Sequence, residues 1–331
     1  MSETSDIPGQ RTETIVIEAR EAQRDRRGRR VQRIGDHLKR EWQLYLMLLP
    51  TILWLVIFLY KPMYGLQIAF KDYSLFRGVA GSPWIGLEHF DTLFNNDQFL
   101  RALRNTVIIS FYGLIFGFPV PIILAVMFNE VLHQTFKKTA QTIVYLPHFI
   151  SSVIIAGIVI TAFSPSAGIV NTMLGWFGMD PVYFLTKPEW FRPIFVGTGI
   201  WQEAGFQSIV YLAAIAGISP TLYESAVVDG ASRWQMIWKI TLPSIMPTII
   251  IMLIIRIGNM LEVSFEMIIL LYQPATYETA DVVNTFIYRQ GIQGGQYDLA
   301  AAAGLFNAVV AFVLVMTANT ISKRYSRTSL W

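Results

Sequence analysis

Apolar residues in this chain come in long blocks, not in the alternation of a half-buried strand. Six blocks approach the roughly 20 residues that a helix needs to cross about 30 Å of hydrocarbon. They are Trp42–Tyr60, Thr106–Asn129, Ile143–Phe163, Pro193–Ile218, Ile245–Tyr272 and Ala300–Ile321. Backbone amides inside lipid must be paired internally, and runs rich in Leu, Ile, Val and Phe without a polar face fit helices, not barrel strands. The pattern therefore predicts an all-α, polytopic membrane protein with six spans. Pro119, Pro121 and Pro147 are expected to mark kinks or helix ends.

The segments between the blocks set the expected orientation. Arg24, Arg26, Arg27, Arg29, Arg30, Arg33, Lys39 and Arg40 crowd the start of the first span, Lys137 and Lys138 occupy a short loop, and Lys323, Arg324 and Arg327 follow the last span. Positive charge collects on the cytoplasmic side, so both termini are expected there. Residues 1–41 read as a basic tail able to meet lipid headgroups. Residues 61–102 read as an extracytoplasmic loop. Within the wider segment Lys61–Asn105, Tyr73, Phe76, Gly78, Gly81, Pro83 and Trp84 suggest a folded lip. Residues 323–331 form a short cytoplasmic tail, and nothing near the start reads as a cleavable signal.

Composition narrows the class. Of 331 residues, 53% are hydrophobic and 15% charged, too little charge to cover a soluble surface. The chain has no cysteine, which excludes disulfides, thiolate metal sites and cysteine nucleophiles. His37, His89, His133 and His148 lack metal-ligand spacing, and no Ser/His/Asp order suggests a hydrolase. No catalytic or metal-binding residue is expected, nor a nucleic-acid partner. No G-x-x-x-x-G-K-[ST] phosphate loop is present, so an ATPase of that type would have to be a separate subunit.

The most informative stretch lies between the fourth and fifth blocks, at 219–247. It contains Glu224-Ser225-Ala226, then Asp229-Gly230, then Ile240-x-Leu242-Pro243. Pro220 and Thr221 are expected to open a helix, Glu224 to complement its positive end, and Gly230 to allow a sharp turn. Trp234, Ile237 and Trp238 recur at helical spacing, and Pro243 is expected to end that run before the next span.

This spacing resembles the signature loop of ABC-importer permeases, EAA followed by G and I-x-L-P, with Ser225 in place of the first alanine. The resemblance extends from about Leu103 to Ser322, with Tyr145-Leu146-Pro147 and Gly304-Leu305-Phe306-Asn307 in step. It implies a type I ABC importer permease fold with a core at 103–322. It further implies a cytoplasmic coupling helix whose contacts to the ATPase are Glu224, Ser225, Ala226, Asp229 and Gly230. The implied partners are a second permease subunit (a heterodimer), two ATPase subunits that bind ATP and Mg, and an extracytoplasmic solute-binding protein. The chain looks like carbohydrate importers of the maltose-permease type. Tyr288-Arg289-x-Gly291, Ala318-Asn319-x-Ile321-Ser322-Lys323 and Ser329-Leu330-Trp331 are similar to the subgroup importing complex oligosaccharides, with alginate or pectin-derived uronates the first substrates implied.

Polar groups inside the blocks need an account, because charge in a span is costly. Arg256, Asn259, Glu262 and Glu266 would share an arc of about 120° on a continuous fifth helix. Gln202, Glu203 and Gln207 form a second cluster, and Asn307 is a third candidate. Two readings fit: contact with substrate along a translocation path, or interhelical ion pairs and hydrogen bonds. Glutamates on the path of an anionic sugar would need pairing, protonation or displacement. Trp201, Phe206 and Tyr211 fit sugar stacking or plain packing. An ion-gradient-driven secondary transporter is the alternative function, but it has no need for the Glu224–Pro243 segment.

Overall fold

The apolar blocks become helices in the computed structural model, which describes residues 40–325; the tail before residue 40 and Arg327 to Trp331 lie outside them. The chain divides into two units, Met1–Gly65 and Leu66–Trp331. In the first, α1 (Trp42–Trp54) continues through one wider π-helical turn at Leu55–Tyr60, and none of these residues is buried.

The second unit begins with a folded lip. Phe70 stacks on Trp84 at 5.5 Å, Lys71 bridges to Trp84, and the Lys71 ammonium donates to the Val79 carbonyl at 2.7 Å. Then come α2 (Glu88–Phe94) and α3 (Asp97–Tyr112), the latter capped by the Asn96 side chain accepting from the Gln98 and Phe99 amides. The π-helical turn Gly113–Gly117 joins α3 to α4 (Pro119–Glu130), so Asp97–Glu130 is one apolar helical span. Pro119 and Pro121 lie inside this span and do not end it, and the wider π-helical turn just before Pro119 relieves the clash of its ring with the preceding carbonyls.

Next, α5 (Gln134–Tyr145), prolonged by a 3-10 turn at Leu146–Phe149 that contains Pro147, meets α6 (Ser152–Ala162) at a 103° bend at residues 150–151, followed by the short α7 (Ile169–Trp176). The third block is thus a bent pair, not a straight span. The long α8 (Pro188–Ala216) carries Pro193 inside it and starts five residues before the predicted edge. It bends by 70° into α9 (Pro220–Val228).

After a turn come α10 (Arg233–Met236), a π-helical turn at Ile237–Thr241, and α11 (Leu242–Gly258). Arg233–Gly258 is one apolar helical span, so Pro243 does not end the run as expected. The wider turn just before it relieves the clash that a proline ring makes with the preceding carbonyls. The fifth block is also not one helix. It breaks at residues 259–264, resumes as α12 (Phe265–Leu271), and returns through α13 (Val283–Ile287) to α14 (Tyr297–Tyr325).

Among the described residues, four helices are long and apolar enough to cross a membrane, or six if each bent pair is one span. Between lipid-facing helices the attraction is close packing and hydrogen bonding, not expulsion of water. One core layer joins Ile155 and Val159 of α6, Phe191 and Phe195 of α8, and Met267 and Ile268 of α12. A second joins Leu93, Phe99, Val283 and Phe286 to Ala302 and Ala303 of α14, and a third gathers Ala125, Tyr211, Ile215 and Ile245. A Cβ on Gly205 would lie 2.1 Å from the Val144 carbonyl oxygen, so α8 and α5 touch backbone to backbone there.

Candidate functional site: a polar cavity and an exposed helix–turn–helix

Two sites emerge, one between the helices and one at the end of α8. Between α3, α8 and α11 lies a cavity of about 200 Å³. Its walls are the π-helical turn Gly113–Gly117, one face of α8 from Phe195 to Gln207, and Arg256 with the broken segment from Asn259 to Ser264. The bare backbone at Gly113 admits the Arg256 guanidinium, which a Cβ there would approach to 3.4 Å. The break in the fifth block is held by the Ser110 hydroxyl, which donates to the Met260 carbonyl, and by Asn284, which donates to the Val263 carbonyl at 3.4 Å.

Five of the eight residues expected along a translocation path line this one cavity: Arg256, Asn259, Glu262, Glu203 and Gln207. The shared 120° helical arc does not exist, because the helix ends at Gly258. The chain turns around the cavity and still presents Asn259 and Glu262 to it. Glu266 falls outside the lining, in the first turn of α12. Gln202 faces another way and donates to the Ile150 carbonyl at 3.4 Å. Asn307 lies on α14 away from the cavity, with its Oδ1 buried and unpartnered. Glu203 has a partner that sequence reading missed: His148 Nδ1 lies 3.1 Å from its Oε2, and the His148 ring stacks on Phe206 at 3.9 Å. Phe206 is therefore already occupied, Tyr211 is buried in a core layer, and Trp201 lines a shallow apolar hollow with Phe163 and Trp190.

The second site is the segment Ser219–Pro243. It folds as a helix, a turn and a helix. Gly230 takes φ +76°, its amide donates to the Val227 carbonyl at 3.0 Å, and the Ala231 amide donates to the Ala226 carbonyl at 2.8 Å. These two bonds close the C-terminus of α9 in the left-handed manner that glycine permits. Ser232 and Gln235 then cap α10 reciprocally. Tyr223 and Thr241 hydroxyls meet at 2.9 Å, tying the two arms together, and Trp234 packs edge-on to Trp238 at 5.9 Å. Glu224, Ser225, Asp229 and Gly230 are exposed and Ala226 is half-buried. Glu224 sits beyond the first turn of α9, too far along for the dipole role expected of it.

A third polar cluster was not anticipated. Asp281, fully buried, accepts two parallel bonds from Arg289 at 2.8 and 2.7 Å and one from Thr285 at 2.6 Å. This fork raises the Arg289 pKa above its ordinary value, the hydrogen-bonded carboxylate being the largest cause. Buried Asn105 donates to the Glu278 and Asp281 carbonyls and accepts from Arg192 at 2.7 Å.

A set of apolar helices that encloses a polar cavity and leaves a helix–turn–helix exposed at the end of a span suits a transport subunit. Residues 117–328 match the family described as binding-protein-dependent transport system inner membrane component, and the chain belongs to that family. It is the permease subunit of an ABC importer, a multi-pass inner-membrane protein.

Among Bacillus subtilis (strain 168) proteins, the polygalacturonan/rhamnogalacturonan transport system permease protein YteP is 42% identical over 87% of this chain and 90% of its own. Protein LplB of the same organism is 41% identical over 89% and 92%. A chain in the crystal structure of a bacterial ABC transporter involved in the import of the acidic polysaccharide alginate is 62% identical. It superposes with a TM-score of 0.84 over 89% of this chain and 99% of that one. A second structure, of a bacterial alginate transporter with an alginate pentasaccharide-bound periplasmic protein, matches at 61% identity and TM-score 0.83.

Proposed function

We propose that this subunit forms half of the path for an acidic oligosaccharide, a uronate fragment of the alginate or pectin kind, delivered by an extracytoplasmic binding protein. The observation that carries the reading is the 62% identity, over nearly the whole of both chains, to a chain of the alginate importer. The relative named for polygalacturonan and rhamnogalacturonan transport points to the same chemistry. Arg256, Asn259, Gln207, Glu203 and Glu262 contact the sugar as it crosses, and His148 holds Glu203 by a hydrogen bond at 3.1 Å.

The Glu224–Gly230 turn docks on a separate ATPase, which binds ATP and Mg. A second permease subunit completes the path, and both termini lie in the cytoplasm. The test is reconstitution with the cognate second permease, ATPase and binding protein in proteoliposomes, measuring uptake of a labelled uronate trisaccharide. Uptake that requires ATP is expected. Uptake driven by a proton gradient without ATP would overturn the reading.

A further inference from the structure

The polar cluster around Asp281 carries more positive charge than its own structure consumes. Four arginines gather there: Arg101 and Arg104 in the first two turns of α3, Arg192 near the start of α8, and Arg289 after α13. The carboxylates among them are Asp281 and Glu278. Arg289 takes both oxygens of Asp281 in a fork, so that carboxylate is committed. Arg101 comes only to 3.7 Å of Asp281, beyond hydrogen-bond distance, with its side chain 40% exposed. Arg192 is held through one bond to Asn105 Oδ1, and its charge is coupled to those of Arg104 and Glu278. Arg104 is exposed and makes no ion pair or side-chain hydrogen bond among the described residues. The Nε atoms of Arg101 and Arg192 are buried without a partner. Buried donors are normally satisfied, so each of these two guanidinium groups keeps an unused donor.

The place of this cluster gives it a use. Along α3, Asn105 is one turn before Ile109 and two turns before Gly113; along α8, Arg192 is one turn before Phe195 and Val196. All four of these apolar or glycine positions line the cavity. The same α8 ends at the coupling segment, 24 residues or roughly 36 Å further on. The arginines therefore stand at the cavity end remote from the ATPase-docking turn, and Arg256 stands inside the cavity. We infer that Arg104, Arg192 and Arg101 form a carboxylate-reading mouth, which takes the charged groups of an acidic oligosaccharide and hands the chain on toward Arg256. The inference rests on the acidic-sugar reading above and names the residues that recognise the acid. Guanidinium forks suit carboxylates, and a cluster left net positive attracts an anion that successive sugar units present at regular intervals.

Arg104 is the position to test, because it is exposed and holds nothing else in place. The complete reconstituted transporter, with its partner permease, ATPase and binding protein, is assayed for uptake of a labelled uronate trisaccharide. The variants are Arg104→Lys, Arg104→Gln and Arg104→Glu, each checked for wild-type assembly with the partner subunits. Half-saturation is expected to stay near wild type for Lys, to rise about threefold for Gln and about tenfold for Glu, as a partly screened charge interaction does. The differences should shrink at high salt. Arg192→Gln should act in the same direction as Arg104→Gln. A flat charge series while wild type still imports the uronate would overturn the mouth alone. Wild-type import of neutral oligosaccharides with none of uronates would overturn the acidic-sugar reading beneath it.

Discussion

At the scale of single residues, two positions hold shape by physics that leaves little latitude. Asp281 is buried and hydrogen-bonded by Arg289 and Thr285. Removing one partner of a buried ion pair strands the other charge, at about 3–5 kcal/mol. Asp281→Asn is therefore expected to lower the thermal unfolding midpoint of the detergent-solubilised protein. The double change with Arg289→Gln should cost less than the two single changes added together, which a double-mutant cycle reads directly. Gly230 works differently. Its φ of +76° strains any residue with a Cβ by about 1–2 kcal/mol, and no heavy atom lies within 4 Å of the added carbon. Gly230→Trp should leave membrane insertion intact while the turn loses its shape against the ATPase. In proteoliposomes, ATP hydrolysis is then expected to continue with sugar uptake largely lost; fully coupled uptake would remove this turn from the docking role.

The helices explain how much the sequence alone can disclose. The helix, turn and helix of Ser219–Pro243 are legible because their information is local: Pro220 at the start, Gly230 at the turn, and Trp234, Ile237 and Trp238 at helical spacing after it. The break at 259–264 was not, because Leu261 and Val263 keep that stretch apolar while Ser110 and Asn284, far away in the chain, hold its freed carbonyls. The cluster around Asp281 was equally hidden, since Asn105 is 176 residues from the carbonyl it binds. Arg256, Asn259 and Glu262 share a cavity not through a common helical arc, since the helix ends at Gly258, but because the chain bends around it.

Helix contacts separate two glycines that look alike in sequence. Gly205 meets the Val144 backbone, whereas a Cβ on Gly199 would find open space in the cavity wall. Gly205→Ala should reduce thermal stability by several degrees as α8 is forced off α5, whereas Gly199→Ala should leave stability unchanged. Comparing the two unfolding midpoints checks the packing assignment, and equal effects would contradict it.

For the molecule as a membrane protein, orientation decides whether the arginine cluster receives substrate or faces the ATPase. The lip and the arginines lie at one end of the second unit's helices, and the Gly230 turn lies at the other, joined by the single helix α8. A rod of roughly 36 Å spans the hydrocarbon and can carry a displacement of the turn to the cavity wall that α8 provides. Because the chain contains no cysteine, one introduced thiol is its only target for a maleimide. Phe76 in the lip is fully exposed, and Lys138, which with Lys137 lies on α5 and not in a loop, is exposed too. In intact cells, a membrane-impermeant maleimide is expected to label Phe76→Cys at once, and Lys138→Cys only after the membrane is opened. The reverse pattern would put the arginines on the ATPase side, where they could not meet incoming sugar, and would displace the docking role from Gly230. The expected pattern leaves one consistent direction of travel: past Arg104 and Arg192, into the cavity at Arg256, with the coupling turn at the far end of the helix that lines the route.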